Sequence, residues 1–499
     1  MKGWQFCPAS AHFVVSMEGT GPSAVRSHPA APACPDWLAT RLERAGGSVP
    51  FQTFMAWALH DPSHGAYGNG ALRIGPSGDF ATAPSLGPEF AALLAPQVAD
   101  WLTALAELNA GAQPPAIPAP SGSNPPPPGE AEAGGRPLAL IEAGPGEGSL
   151  ALQLAQALAE GWPALARCCE LVLLEPNPGM EARQRQLLEA SPLPVRWSDA
   201  ATLAAAPLRG VLLAHEVLDA LAVERIVQRG ERWHRQHVAL EGGGLRWRVG
   251  EPLEAELEPQ LEAELRALGL LSPEGRANRR EGWCTELHPQ LEPWLRQAAA
   301  GLERGWLLVI DYALEAWRYY APQRADGTLM AYRQQRAGAD PLADAGRCDL
   351  TAHVCLDSLE RAAAATGWRW RGSCRQGEAL LALGLAERLE GLQHQPDVPL
   401  PQLLRRRESL LRLVDPGCLG DFRWVALQRP PLAVAAAVPV PVAAAAEVAA
   451  VAVEAVAAPA AVAAVAAEAE AEAEAEDPPL FLRPPQPRGP QAVAAEAGG

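Results

Sequence analysis

Four stretches of the chain are nearly unbroken apolar runs that end in or near an acid: LALIEAG (138–144), CELVLLEP (169–176), GVLLAHEVL (210–218) and GWLLVIDYA (305–313). Runs of this length without polar alternation predict strands buried on both faces, the habit of a parallel sheet flanked by helices. Behind the first two stand SLALQLAQAL (149–158) and GMEARQRQLLEA (179–190), whose apolar residues recur at helical spacing. Strand and helix in alternation predict an α/β fold with a Rossmann-like, doubly wound sheet.

Two segments break that rhythm. VERIVQRGERWHRQHVALEGGGLRWRVG (223–250) alternates polar and apolar positions around glycine turns and predicts two or three antiparallel strands. EPLEAELEPQLEAELRALG (251–269) reads as an exposed helix. Together they form a β-rich insertion near 223–300. Upstream, PFQTFMAWALHDP (50–62) and GPEFAALLAPQVADWL (87–102) have helical spacing and predict a helical N-terminal cap over the strand ends. GDFRWVALQRP (420–430) reads as the last core strand.

Composition sets the boundaries. Residues 1–35 lack an apolar core long enough for a secretory signal and read as a poorly ordered leader, with the cap following at 36–108. Residues 109–137 are rich in Pro, Gly and Ser and read as a loop. The α/β domain then spans 138–429, and 430–499 is a low-complexity acidic tail, so a chain cut after Arg429 is expected to fold and bind like the whole. Pro439, Pro441, Glu447, Glu454 and Pro459 interrupt the Ala/Val run of the tail and argue against a membrane span. The net charge is -17, of which the tail carries -7 and the body -10, and this speaks against a nucleic-acid partner. Nine scattered cysteines without a CxxC pair suit a reducing, cytoplasmic setting and suggest no metal site.

The chemistry is sharpest at IEAGPGEGSL (141–150). A glycine turn between a strand and a helix lets the backbone approach a ligand outside the carboxyl ends of the sheet. Gly148-Ser149 brings no lysine, which excludes a P-loop. Gly144, Gly146 and Gly148 are spaced two and two, unlike a dinucleotide fingerprint, and Glu142 ahead of them would repel a pyrophosphate. The same acid suits the ammonium of S-adenosyl-L-methionine. Glu175, ending the next strand, can accept both hydroxyls of a ribose, and Asp199 in WSDAATL can take the adenine amino group. The competing reading is plain turn chemistry for the glycines and an N-cap for Asp199.

From Phe51 to Gln428 the chain resembles the MidA and mitochondrial complex I assembly factor 7 methyltransferases. The resemblance rests on MAWALHDPSHGAYG, IGPSGDFATAPSLGPEF, IEAGPGEGSL, HEVLDALAVERI, LLVIDYA and GTLMAYRQQRAGADPLADAGRCDLTAHVCLDSL in that order. It implies a class I S-adenosyl-L-methionine-dependent methyltransferase that symmetrically dimethylates an arginine in a core subunit of a complex I-type NADH dehydrogenase and so supports its assembly. It also implies cofactor contacts at Glu142, Gly144, Gly146, Gly148 and Glu175, and a Gly78-Asp79-Phe80 loop over the cofactor. Departures fall at His215, Ala222, Ala313 and Ser85, where the family commonly has Asn, Pro, Gly and Glu. Two alternatives remain: a methyltransferase acting on another protein or a small molecule, and an assembly factor that keeps the fold without turnover.

Arginine chemistry gives HEVLDAL a purpose. A guanidinium is protonated and delocalised, so carboxylates that grip it can both orient it and localise electron density on the attacking nitrogen. Glu216 and Asp219 are expected to share one face of a helical turn and do this, with His215 orienting the substrate or taking a proton. Asp79 is a further catalytic candidate from the resemblance, and Asp311 is open to the same role or to a structural one.

Overall fold

The computed structural model describes residues 32–70, 72–75, 78–110, 137–253, 259–334, 336–337, 340–395, 398–430 and 478–483. The leader up to residue 31, nearly all of the Pro-rich loop and most of the tail lie outside the described residues, and with them the expectations placed there.

The main sheet has seven strands: β1 (Leu138–Ala143), β2 (Cys169–Leu174), β3 (Val195–Ser198), β4 (Leu208–His215), β5 (Leu302–Asp311), β6 (Arg369–Arg375) and β7 (Arg423–Arg429). Their order is β6-β7-β5-β4-β1-β2-β3. Strands β1 to β5 run parallel, and β7 is antiparallel to both of its neighbours. This is the mixed sheet of class I methyltransferases. The order reverses between β1 and β4, and a ligand crevice is expected at such a switch point.

The apolar runs are explained by the layers. In β1, Leu138 and Leu140 face one cluster, with helices α1 (Glu89–Ala110) and α2 (Ser149–Gly161), while Ala139, Ile141 and Ala143 face another. Helix α3 (Pro178–Leu188) adds Leu188 to the first cluster. The second cluster is closed by α4 (Ala200–Ala205), α5 (Leu291–Gly301) and α6 (Leu356–Ala365).

The insertion forms its own antiparallel sheet from Glu224–Arg229, Arg232–Glu241, Gly244–Pro252 and Cys284–Leu287, and the N-terminal Ser48–Pro50 joins it. The N-terminal region is therefore divided. Helices Asp36–Arg44 and Phe51–His60 pack on the insertion with Val238, Leu245 and Leu350, whereas α1 lies on the main sheet. After β5, two small sheets occupy 313–355, and one of them pairs Met330–Arg333 with Asp349–Thr351.

The tail differs from the sequence expectation. Pro478–Arg483 lies against the domain, and Phe481 is 2% exposed within the first cluster. One aromatic in a six-residue stretch is enough to anchor it, and it is too short to show any periodicity. Among the described residues no helix is long and apolar enough to cross a membrane.

Candidate active site

The glycine turn bends the chain from β1 into α2. Gly144, Gly146 and Gly148 have φ of 59°, 55° and 85°, a region that side chains disfavour. A Cβ on Gly146 would come within 2.7 Å of Ile74 Cδ1. The turn borders a cavity of about 460 Å³ whose wall includes Ile74, Phe80, Glu142, Glu175, Glu216 and Trp294. That size is ample for a nucleoside-sized ligand.

Glu142 is buried, its Oε2 has no partner, and burial pushes its carboxyl up to about 8. A buried acid with an open oxygen fits the ammonium of S-adenosylmethionine, because a cation would offset the cost of ionising it. Glu175 follows β2 directly. Its Oε1 accepts the Asn177 N–H at 2.9 Å and its Oε2 accepts from Gln184 Nε2 at 2.9 Å. Burial raises its carboxyl despite these bonds. Gln184 is fully buried and also donates to the Gly146 carbonyl at 2.8 Å, while its Oε1 accepts from Trp197 Nε1 at 2.9 Å. It ties the ribose candidate to the glycine turn, and a glutamine inside a polar helical pattern gave no signal of that role.

Asp199 also borders the cavity, as the N-cap of α4. Its Oδ1 accepts the Thr202 N–H at 2.8 Å and its Oδ2 accepts the Thr202 hydroxyl at 3.0 Å. Beside it, the buried Ser198 Oγ has no partner. The loop before α1 supplies Ile74 and Phe80 to the wall. Asp79 is engaged elsewhere: it accepts the N–H of Arg73 at 3.1 Å and of Gln334 at 3.3 Å, tying its loop to the 330–337 hairpin. Gly78 is needed for the tightness of that loop, since a Cβ there would sit 2.2 Å from the Arg73 carbonyl oxygen.

At the end of β4, Glu216 has φ of 54°, a left-handed conformation that a non-glycine residue adopts at a cost. The 216–219 stretch is a bend and turn rather than the helical face expected, and Asp311 is the reason. Its Oδ2 accepts the N–H groups of Val217, Leu218 and Asp219 at 3.2, 2.9 and 3.2 Å, and its Oδ1 that of Tyr312 at 2.8 Å. Asp311 is therefore the anchor of this turn. Burial still raises it to about 7.

Glu216, Asp219 and Asp311 are joined by Asp349, which the sequence reading did not single out. Asp349 Oδ1 accepts from the Tyr67 hydroxyl at 2.9 Å, and burial raises its carboxyl to about 6. Burial, with Asp311 and Asp349 nearby, pushes Glu216 and Asp219 well above the usual carboxylate range. Among the described residues no arginine or lysine pairs with any of the four. His215 Nε2 lies 3.5 Å from Glu216 Oε1, and neither atom has another partner. Burial between Phe90 and Phe422 lowers His215 to about 3, which favours the neutral imidazole and makes it a weak proton acceptor, so of its two expected roles substrate orientation fits better.

Residues 129–374 match the model of a family described as "Putative S-adenosyl-L-methionine-dependent methyltransferase". A crystal structure from Burkholderia thailandensis bound to S-adenosyl-homocysteine is 28% identical, covering 79% of this chain and 91% of that one with a TM-score of 0.64. A native crystal structure from the same organism is 27% identical over 79% and 90%, with a TM-score of 0.62. A comparison with curated proteins finds no match. The sheet order, the acid-flanked glycine turn and the family match agree on a class I methyltransferase fold with S-adenosyl-L-methionine as cofactor.

Proposed function

We propose that this protein transfers a methyl group from S-adenosyl-L-methionine to an arginine side chain of a protein. The observation that carries the reading is the group of four carboxyls, Glu216, Asp219, Asp311 and Asp349, with which no arginine or lysine among the described residues pairs. A guanidinium entering next to Glu216 supplies the missing charge and restores the carboxyls toward their ionised form.

The cofactor supplies an electrophilic methyl on a sulfonium. Glu142 and Glu175 hold its ammonium and ribose, and the glycine turn lets the backbone lie close to it. Glu216, at the rim shared by cavity and acid group, grips the guanidinium. Glu216 would also take the proton that the guanidinium nitrogen loses when it accepts the methyl group. Asp311 keeps the turn in place, and His215 Nε2 stands 3.5 Å from the free oxygen of Glu216. Asp219 and Asp349 complete the negative field, with Tyr67 fixing Asp349.

The acceptor to test first is the one the resemblance implies, the hydrogenase-like core subunit of a complex I-type dehydrogenase. Labelled cofactor, that subunit and mass spectrometry should yield methylated arginine, with symmetric dimethylation as the end state. Label appearing on another molecule while the subunit stays bare overturns the arginine reading and leaves the cofactor site standing.

A further inference from the structure

The stretch Pro478-Pro479-Leu480-Phe481-Leu482-Arg483 is held by a receptor built from the catalytic domain. Phe481 packs edge to face on Trp424, with centroids 5.4 Å apart, and on Trp101, at 6.3 Å. Trp101 in turn stacks on Trp306 at 4.7 Å. The Phe481 N–H donates to Gln97 Oε1 at 3.2 Å, and Gln97 is fully buried. The Cys374 thiol donates to the Phe481 carbonyl at 3.7 Å. Gly372 leaves room for the next residue: a Cβ there would lie 2.5 Å from Leu482 Cδ1.

These contacts have the form of peptide recognition. The two hydrogen bonds from the segment's backbone to the domain go to side chains, on Gln97 and Cys374, and the segment extends no sheet. Within the segment, the Leu482 N–H donates to the Pro479 carbonyl, the Arg483 N–H to the Leu480 carbonyl and Arg483 Nε to the Pro478 carbonyl, and these bonds close its own turn. Affinity then comes from one buried aromatic anchor and a following leucine, the usual pattern for a short motif in a groove. The connection is geometrically undemanding. Arg429, at the end of β7, and Pro479 border the same shallow cavity, so the chain leaves and returns at one place.

We propose that the face formed by Gln97, Trp101, Gly372, Cys374 and Trp424 is a peptide-docking groove, and that Pro478–Arg483 is its resident ligand, a detachable Pro-Leu-Phe-Leu motif bound in cis. The inference does not depend on the arginine reading. Tethering gives the segment an effective concentration of at most on the order of 1 mM, enough to keep a micromolar motif seated and still permit exchange.

The test uses the full chain and a fluorescein-labelled peptide, Glu-Asp-Pro-Pro-Leu-Phe-Leu-Arg-Pro-Pro, read by fluorescence polarisation. Phe481→Ser in the protein should empty the groove and give saturable micromolar binding. Wild type should bind at least about tenfold more weakly, and so should a peptide carrying the same Phe to Ser change. Iodoacetamide labelling mapped by mass spectrometry should find Cys374 protected in wild type, modified in Phe481→Ser and protected again by added peptide. A second form leaves every contact intact: a protease site placed within 431–477 is cut, and the labelled peptide should then displace the cleaved segment. Equal binding by wild type and Phe481→Ser overturns the proposal. So does a cut protein that never exchanges its segment, because the segment would then be an integral part of the core.

Discussion

The two halves of the cavity are built in opposite ways. On the cofactor side, Glu142, Gly144, Gly146, Gly148 and Glu175 come from one βαβ stretch, and Glu175 is already bonded to Asn177 and Gln184. On the acid side, Glu216 and Asp219 are joined by Asp311 and Asp349 from distant segments, and burial, with the neighbouring carboxyls adding to it, pushes both well above the usual carboxylate range. In the first half Glu175 has both oxygens engaged, and one charge is left open at Glu142 Oε2. The second is electrostatically incomplete, and what completes it is a cation. A ligand of the first half is thus selected by shape, hydrogen bonding and one charge at Glu142, and a substrate of the second chiefly by charge.

That contrast can be broken most directly at Glu216. Glu216→Gln should lower methyl transfer about 10²- to 10⁴-fold, the range for losing a positioned proton acceptor. The dissociation constant of the cofactor, measured by calorimetry, should stay within about twofold, because the cofactor side draws its contacts elsewhere. A large loss of cofactor affinity in this variant would mean that the two halves are not separate.

The converse change is Glu175→Ala. It removes the acceptor for a buried ribose and one of the two hydrogen bonds of Gln184 Nε2, which keeps the Gly146 carbonyl, and such losses cost about 1–3 kcal/mol. Cofactor affinity should therefore fall roughly 10- to 100-fold. Activity at saturating cofactor should return most of the way. Unchanged affinity would remove Glu175 from the ribose.

The same contrast explains what could be read from the sequence. The β1-turn-α2 unit was legible because strand, glycines and helix are consecutive, and each has a local conformational cause. Asp349 was not, since only the pairing of Met330–Arg333 with Asp349–Thr351 brings it to the site. Asp311 was seen but its role was not, because accepting three backbone N–H groups from 217–219 depends on β5 lying beside β4. His215 was read as orienting the substrate or taking a proton, and its burial between Phe90 and Phe422, which are far from it in sequence, was not visible there. Phe481 carried no periodic signal at all.

A smaller effect should appear in the pH dependence of stability. Asp349, Asp311 and Glu142 are raised to about 6, 7 and 8. They hold protons more tightly folded than unfolded, so their contribution is complete below their unfolded values and is lost as pH climbs through 6 to 8. His215, His288 and His353 are lowered to about 3, 3 and 4, and act in the other direction, removing stability as pH falls below their unfolded value. Above about pH 7.5 the histidines are neutral in both states and only the acids act. The Tm of the cofactor-free protein should therefore decline from about pH 7.5 to about 8.5, and Glu142→Gln should flatten that decline. A rising or level Tm would show that a cation already neutralises the acid side.

The smallest expected effect belongs to Asp199, which stands between the two roles. Both of its oxygens are engaged with Thr202, and these bonds hold its carboxyl below the usual range, which describes a helix cap. Asp199→Ala should lower Tm by about 1–2 °C, while Asp199→Asn, an equally good cap, should leave it unchanged. Cofactor affinity should change by no more than about threefold in either, since the buried hydroxyl of Ser198 is the free polar atom on that wall. An analogue with hypoxanthine in place of adenine isolates the amino group. If Asp199 holds it, wild type prefers the adenine cofactor and Asp199→Ala abolishes the preference. If the preference survives Asp199→Ala and disappears in Ser198→Ala, base recognition lies one residue earlier, and the acid at 199 belongs to the helix rather than to the ligand.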